Sequence, residues 1–172
     1  MKRITLPILE PNRLTAGETV LLSGTIYTAR DAAHKRMVAM LAAGEPMPFE
    51  FGGACVYYAG PCPAKPGEVI GAVGPTTSGR MDAYSPNLIR HGLRFMIGKG
   101  ERSCAVVEQI KAHKGIYFAA IGGAGALYAA CTKSASLVAF EDLGAEAIYA
   151  LEVEDMPLVV AIDSSGNNIL VC

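Results

Sequence analysis

From Gly115 to Thr132 the chain carries no charged residue. This uncharged run reaches the roughly 18-residue length of a bilayer-spanning helix, so its reading decides what the chain can fold into. Gly122, Gly123 and Gly125 break its middle. Ile116-Tyr117-Phe118 reads as a buried strand entering a turn, so the run predicts a strand over 116–121, a glycine turn and a small-residue helix around 126–130. At the N-terminus, Lys2 and Arg3 precede an apolar stretch that Pro7, Glu10 and Pro11 interrupt, so no signal peptide is expected. The expectation is a soluble, cytoplasmic protein with no membrane span.

The rest of the chain alternates in the same way. Residues 19–23 read as a strand. Thr28 then offers a cap, with Asp31 three residues later as its acidic partner, and a helix follows to about Leu41. Ala33, Met37, Met40 and Leu41 share its core face, Asp31 and Lys35 form a surface pair one turn apart, and Gly44, Pro46 and Pro48 end the segment. Strands are predicted over 54–59 and 69–73, separated by a stiff Gly- and Pro-rich loop. Ser85-Pro86 opens a short helix that Gly92 closes. A strand over 93–97 follows, then a helix capped by Ser103 and ending near His113. Strands over 137–140, 148–153 and 158–162 and a turn at Asp163-Ser164-Ser165-Gly166 complete the pattern. No linker, low-complexity region or internal repeat interrupts it. The length of 172 residues suits one domain, and the pattern predicts a mixed α/β fold.

A net charge of -1 argues against bulk nucleic-acid binding, which wants a basic surface. With 51% hydrophobic residues, some apolar surface is expected to cover a partner. The five cysteines (Cys55, Cys62, Cys104, Cys131, Cys172) form no C-x-x-C pair and none has zinc-finger spacing to a histidine. They read as small buried residues of a protein in a reducing compartment, with Cys104 at a helix start.

The stretch Gly74-Pro75-Thr76-Thr77-Ser78-Gly79-Arg80-Met81-Asp82 concentrates the chemistry. Two glycines, a proline, three adjacent hydroxyls and a guanidinium can aim backbone N–H groups and side-chain donors at one small anion. The hydroxyls of Thr76, Thr77 and Ser78 are poor bases unless cations stabilise an alkoxide; otherwise they hydrogen-bond the turn itself. Two further cations flank tight turns. Arg30 stands in the first turn of its helix, where the helix dipole disfavours a cation, a conflict that a bound dianion would remove. Lys99 projects from a strand end between Gly98 and Gly100, the place where α/β proteins bind ligands. His34 lies one turn after Arg30 and is a proton carrier, a second anion donor or a structural group orienting Arg30. Gly122-Gly123-Ala124-Gly125 lacks a P-loop lysine and reads as close strand–helix packing.

Thr28-Ala29-Arg30-Asp31-Ala32-Ala33-His34-Lys35-Arg36, the loop from Gly74 to Asp82 and Met96-Ile97-Gly98-Lys99-Gly100 resemble the beta subunit of class I, iron–sulfur-dependent fumarate hydratase. That portion is the C-terminal domain in one-chain enzymes of the family. Phe140-Glu141-Asp142-Leu143-Gly144-Ala145-Glu146-Ala147 and Asp155-Met156-Pro157 extend the resemblance over nearly the whole chain. The wider family includes L(+)-tartrate dehydratase; the Arg30–Arg36 motif is more similar to fumarase. The resemblance implies that residues 1–172 form one swivelling β/β/α three-layer domain with a mixed sheet. It also implies reversible hydration of fumarate to L-malate in a hetero-oligomer. A [4Fe-4S] cluster would be ligated by a partner alpha subunit and not by this chain. It implies Arg30, Arg80 and Lys99 as carboxylate-binding cations beside Thr77, and Thr76 as the base that removes the carbon-bound proton. His34 and Ser78 would support them. Three alternatives differ in class: a tartrate-specific hydro-lyase subunit, a non-catalytic dicarboxylate-binding module, and a structural subunit whose cations serve an interface.

Overall fold

The computed structural model describes residues 1–170. It contains seven strands, β1 (Lys2–Thr5), β2 (Thr19–Thr28), β3 (Cys55–Tyr57), β4 (Phe95–Gly98), β5 (Ile116–Ala119), β6 (Thr132–Ala139) and β7 (Ile148–Ile162). Four α-helices accompany them: α1 (Asp31–Ala42), α2 (Ser85–Arg90), α3 (Cys104–Ala112) and α4 (Gly125–Cys131). The expected α/β class is found. The strands make one mixed sheet in the order β1-β2-β3-β4-β5-β7-β6, with β1 to β5 parallel and β7 antiparallel to its neighbours. Because β7 also pairs with β2, strands β2, β3, β4, β5 and β7 close into a ring.

Side-chain alternation explains the layers. Val20, Leu22 and Ile26 of β2, Cys55 and Tyr57 of β3, Phe95 and Ile97 of β4, Phe118 of β5 and Leu151, Leu158 and Val160 of β7 meet inside the ring. Tyr128 of α4 packs with them. The intervening residues Val56, Met96 and Tyr117 face outward onto Ala33 and Met37 of α1, Leu88 and Ile89 of α2, and Val106 and Ile110 of α3. Two β layers with a helix layer on one side are the result. Strands buried on both faces must be apolar at every position, which is why β3 to β5 read as short continuous apolar runs.

Several local expectations change. Thr28 ends β2 and does not cap α1; its hydroxyl accepts from Tyr149 N (3.1 Å), and Arg30 is the N-cap residue. Asp31 lies nearest Arg30 rather than pairing with Lys35. Ala33 and Met37 are buried as expected, but Met40 and Leu41 are only half-buried. Residues 69–73 are not a strand: their backbone bonds the Pro-rich loop, with Gly71 N on Cys62 O (3.2 Å) and Cys62 N on Ala72 O (2.9 Å). The two strands expected on either side of Asp155-Met156-Pro157 are one, β7. Pro157 lies opposite Leu21 in the ladder with β2, and on its other side it falls between the part paired with β6 and the part paired with β5; its carbonyl turns to that gap and accepts from Tyr128 Oη (3.2 Å), so the edge that lacks an N–H faces no strand. Asp155 takes a positive φ of 51° beside the bulge opposite Ser23. Ser103 does cap α3, accepting from Val106 N. Among the described residues, no helix is long and apolar enough to cross a membrane.

Candidate active site

The parallel strands β2, β3, β4 and β5 all point their C-terminal ends to the same edge of the ring, and the singled-out residues leave from these ends. Arg30 follows β2 in extended conformation (φ -109°, ψ -164°). Its Cδ passes over Gly60, where a Cβ would come within 3.1 Å of it. Its Nε stands 3.8 Å from Glu146 Oε1 and 3.9 Å from Asp31 Oδ1; it is buried and makes no hydrogen bond, nor does the buried Asp31 Oδ1. Arg30 is thus held loosely between two carboxylates.

The Gly74–Asp82 loop is threaded between β3 and β4. Thr76 N donates to Tyr58 O (2.7 Å), Ser78 N donates to Lys99 O (2.9 Å), and Thr77 bridges Lys99 in parallel fashion. Thr76 is half-buried, while Thr77, Arg80 and Lys99 are exposed. The side-chain hydroxyls of Thr76 and Thr77 have no hydrogen-bond partner among the described residues, so they are not consumed by the turn. Arg80 lies within the 3-10 turn Ser78–Met81. The Lys99 side chain extends toward Gly122 at the end of β5.

Two of the expected supporting residues are structural. Ser78 is fully buried, and its Oγ is 2.7 Å from Tyr117 Oη. His34 is also fully buried. Its Nδ1 lies 2.9 Å from Arg30 O. Because that carbonyl only accepts, Nδ1 carries the proton and Nε2 is left bare and without a partner. Burial pushes its pKa down to about 4, so at neutral pH it is an uncharged brace on Arg30. It neither reaches solvent nor donates charge to an anion. The glycine turn at 122–125 does pack closely, but against a loop and not a strand: Val73 N donates to Gly125 O (3.1 Å), docking the Gly74–Asp82 loop onto α4.

The sequence reading missed Arg102. It is 2% exposed, and its Nε donates to Asp82 Oδ1 at 2.7 Å. Burial disfavours its charge, yet Tyr58, Asp82 and Tyr117 together hold its pKa above the usual value. Tyr117, pushed by burial up to about 12, stays a neutral donor to Gly100 O (2.9 Å). Only Asp82, inside the singled-out loop, hinted that a buried cation had to lie nearby.

An iron–sulfur cluster needs three or four convergent thiolates. Cys55 is in the inner core with its thiol pKa raised by burial. Cys62 lies in the Pro-rich loop, Cys104 starts α3, Cys131 ends α4, and Cys172 lies outside the described residues. No three His, Cys, Asp or Glu side chains among the described residues converge on one point. These residues do not fit the role of cluster ligands.

An edge of cations and unengaged hydroxyls above parallel strand ends is suited to gripping a small polyanion. The family model described as Fumarase C-terminus matches residues 6–171. This chain belongs to that family. It is 40% identical over 154 residues to Fumarate hydratase 2 of Leishmania major, across 88% of this chain and 27% of that protein. It is 40% identical over 149 residues to the aerobic class I fumarate hydratase of Escherichia coli K12, across 86% and 27% respectively. A putative L(+)-tartrate dehydratase subunit beta of Methanocaldococcus jannaschii is 38% identical over 163 residues, across 91% of this chain and 84% of that one. The chain therefore spans about a quarter of those fumarate hydratases but most of the tartrate dehydratase subunit. Fumarate hydratases and tartrate dehydratases are hydro-lyases. In this member of the Fumarase C-terminus family the strand-end edge carries Arg30, Thr76, Thr77 and Lys99 together, with Arg80 on the adjoining turn.

Proposed function

We propose that this chain is the carboxylate-gripping part of a hydro-lyase that interconverts fumarate and L-malate, working with a partner alpha subunit that holds a [4Fe-4S] cluster. One observation supports this above the rest: Thr76 and Thr77 present hydroxyls with no hydrogen-bond partner among the described residues, beside Lys99 and on the same strand-end edge as Arg30.

Malate carries two carboxylates and a very weakly acidic C–H bond. Removing that proton places charge on the adjacent carboxylate, and cations already in position stabilise it without reorganising. In this reading Arg30, Arg80 and Lys99 clamp the carboxylates, and Thr77 donates to one of them. Thr76 Oγ1, held as alkoxide by the same cations, takes the carbon-bound proton. His34 keeps the Arg30 carbonyl fixed and stays neutral. The cluster belongs to the partner, and no step assigned to this chain runs through it.

A second reading, the beta subunit of an L(+)-tartrate dehydratase, is favoured by the near full-length match to the Methanocaldococcus jannaschii protein. Assaying the reconstituted complex with malate, fumarate and L-tartrate side by side separates the two. The first reading expects malate and fumarate to be turned over fastest, with neither cluster absorbance nor activity from this chain alone. Faster turnover of L-tartrate selects the second, and activity of the isolated chain contradicts the division of labour. Thr76→Ala is expected to lower kcat by about 100-fold with little change in KM; a loss confined to KM would leave Thr76 a binding role only.

A further inference from the structure

Four separate pieces of the site meet on one buried cation that the proposed chemistry does not use. The Arg102 guanidinium carbon lies 5.1 Å from the centre of the Tyr58 ring and 4.9 Å from that of Tyr117. Its Nε donates to Asp82 Oδ1 (2.7 Å) at the far end of the Thr76 loop, and its Nη2 donates to Ser85 Oγ (2.8 Å) at the start of α2. Asp82 Oδ2 accepts in turn from Ser103 N (2.6 Å).

We propose that Arg102 is a positioning residue that sets the placement of Thr76 relative to Lys99, an assignment that rests on the hydro-lyase reading of the site. Two arms leave it. Tyr58, whose ring lies under the guanidinium, holds Thr76 through its own carbonyl (2.7 Å from Thr76 N). Tyr117, the other ring, donates its hydroxyl proton to Gly100 O (2.9 Å) and accepts from Ser78 Oγ (2.7 Å). Gly100 and Ser78 bracket Lys99, whose carbonyl accepts from Ser78 N (2.9 Å). The proton acceptor sits in the 74–82 loop and the clamp cation just past β4; beside their direct link through Ser78 N and Lys99 O, both are reached from one planar group. A buried ion pair is a weak source of stability, because desolvation offsets most of its attraction and an apolar side chain often serves as well. What a guanidinium supplies here is geometry: a flat face for two rings and a rigid fork for two acceptors, neither of which lysine reproduces.

The test uses the reconstituted complex, with malate kinetics, inhibition by succinate, and hydrogen–deuterium exchange read peptide by peptide. Arg102→Lys keeps a cation beside Asp82 but loses the plane and the fork. Its kcat is expected to fall at least about tenfold, with exchange in residues 74–82 and 98–101 rising at least about tenfold while β2 and β7 keep theirs. Tyr117→Phe removes the hydroxyl's bonds to Gly100 O and Ser78 Oγ on either side of Lys99 and leaves the guanidinium, Asp82 and the carbonyl of Tyr58 in place. It is expected to raise KM and the succinate inhibition constant at least about threefold, with a smaller loss of kcat than Arg102→Lys. Unchanged exchange at 74–82 overturns the proposal. So does exchange rising equally across the sheet, which is the mark of a general core role, and so does local loosening without a kinetic effect. If Arg102→Lys does not fold, the KM split and local exchange of Tyr117→Phe decide alone. If the unmodified complex turns over none of the three diacids, the hydro-lyase reading fails, and the exchange measurement still decides whether Arg102 positions the loop.

Discussion

A Cβ at Gly98 would overlap Ser78 Oγ and stand 2.7 Å from Tyr58 Cδ2. Both neighbours are buried and already engaged, so neither can give way cheaply. Gly98→Ala is expected to destabilise the chain by about 3 kcal/mol, measured by urea unfolding, and to displace the Thr76 loop. Arg80 presents the opposite case. It is exposed, and the role proposed for it is chemical. Arg80→Lys keeps the charge and loses the bidentate fork; the expectation is a fall of about 100-fold in kcat/KM with assembly intact, and near-normal kinetics would remove Arg80 from the site. At this scale the sequence showed which side chains were chemically capable and not which were accessible. Thr76, Thr77 and Ser78 are three adjacent hydroxyls in one loop, and only packing against Tyr117 separates the buried third from the other two. Arg102 was invisible for the same reason: its partners come from the residue after β3, from β5, the loop and α2, far apart in the chain.

Elements were most legible where their signals are local. Ser103 was read as a cap because a serine before a helical run offers its oxygen to an orphan N–H, and it does so here. The bond to Val106 N is long, 3.4 Å, and the Ser103 backbone keeps its bond to Asp82 whatever its side chain. Ser103→Ala should therefore cost only about 0.5 kcal/mol, seen as a small drop in Tm; a loss several times larger would mean that the cap also holds Asp82 in place. Elements were misread where pairing decides them. Residues 69–73 have the apolar composition of a strand but hydrogen-bond a neighbouring loop instead. Residues 148–153 and 158–162 were expected as two strands, yet β7 runs through Pro157, which pairs with Leu21 of β2 and turns its N–H-less edge to the gap between β6 and β5. Thr28 looked like a cap, but β2 continues to it.

On the scale of the whole molecule, closure of β2, β3, β4, β5 and β7 into a ring creates both the dry inner core and the edge where the site residues gather. The helix layer then buries His34. Its folded pKa, about 4, lies below the roughly 6.5 of an exposed histidine, so the folded state binds fewer protons. Its stabilising contribution is complete above the unfolded value and is lost as pH falls from about 6.5 toward 4. Stability should drop by about 2 kcal/mol between pH 7 and pH 5, checked by urea midpoints, and the dependence in that window should vanish in His34→Gln. The sequence by itself determined the α/β alternation, most helix ends, the family and the residue types able to hold a dicarboxylate, because propensity, capping and motif spacing act over a few residues. Only the tertiary structure decided that one curled sheet carries Arg30, Thr76 and Lys99 to a common edge, that Ser78 and His34 are buried, and that Arg102 is enclosed by Asp82, Ser85, Tyr58 and Tyr117. Burial and strand pairing depend on partners distant in the chain, and no local pattern encodes them.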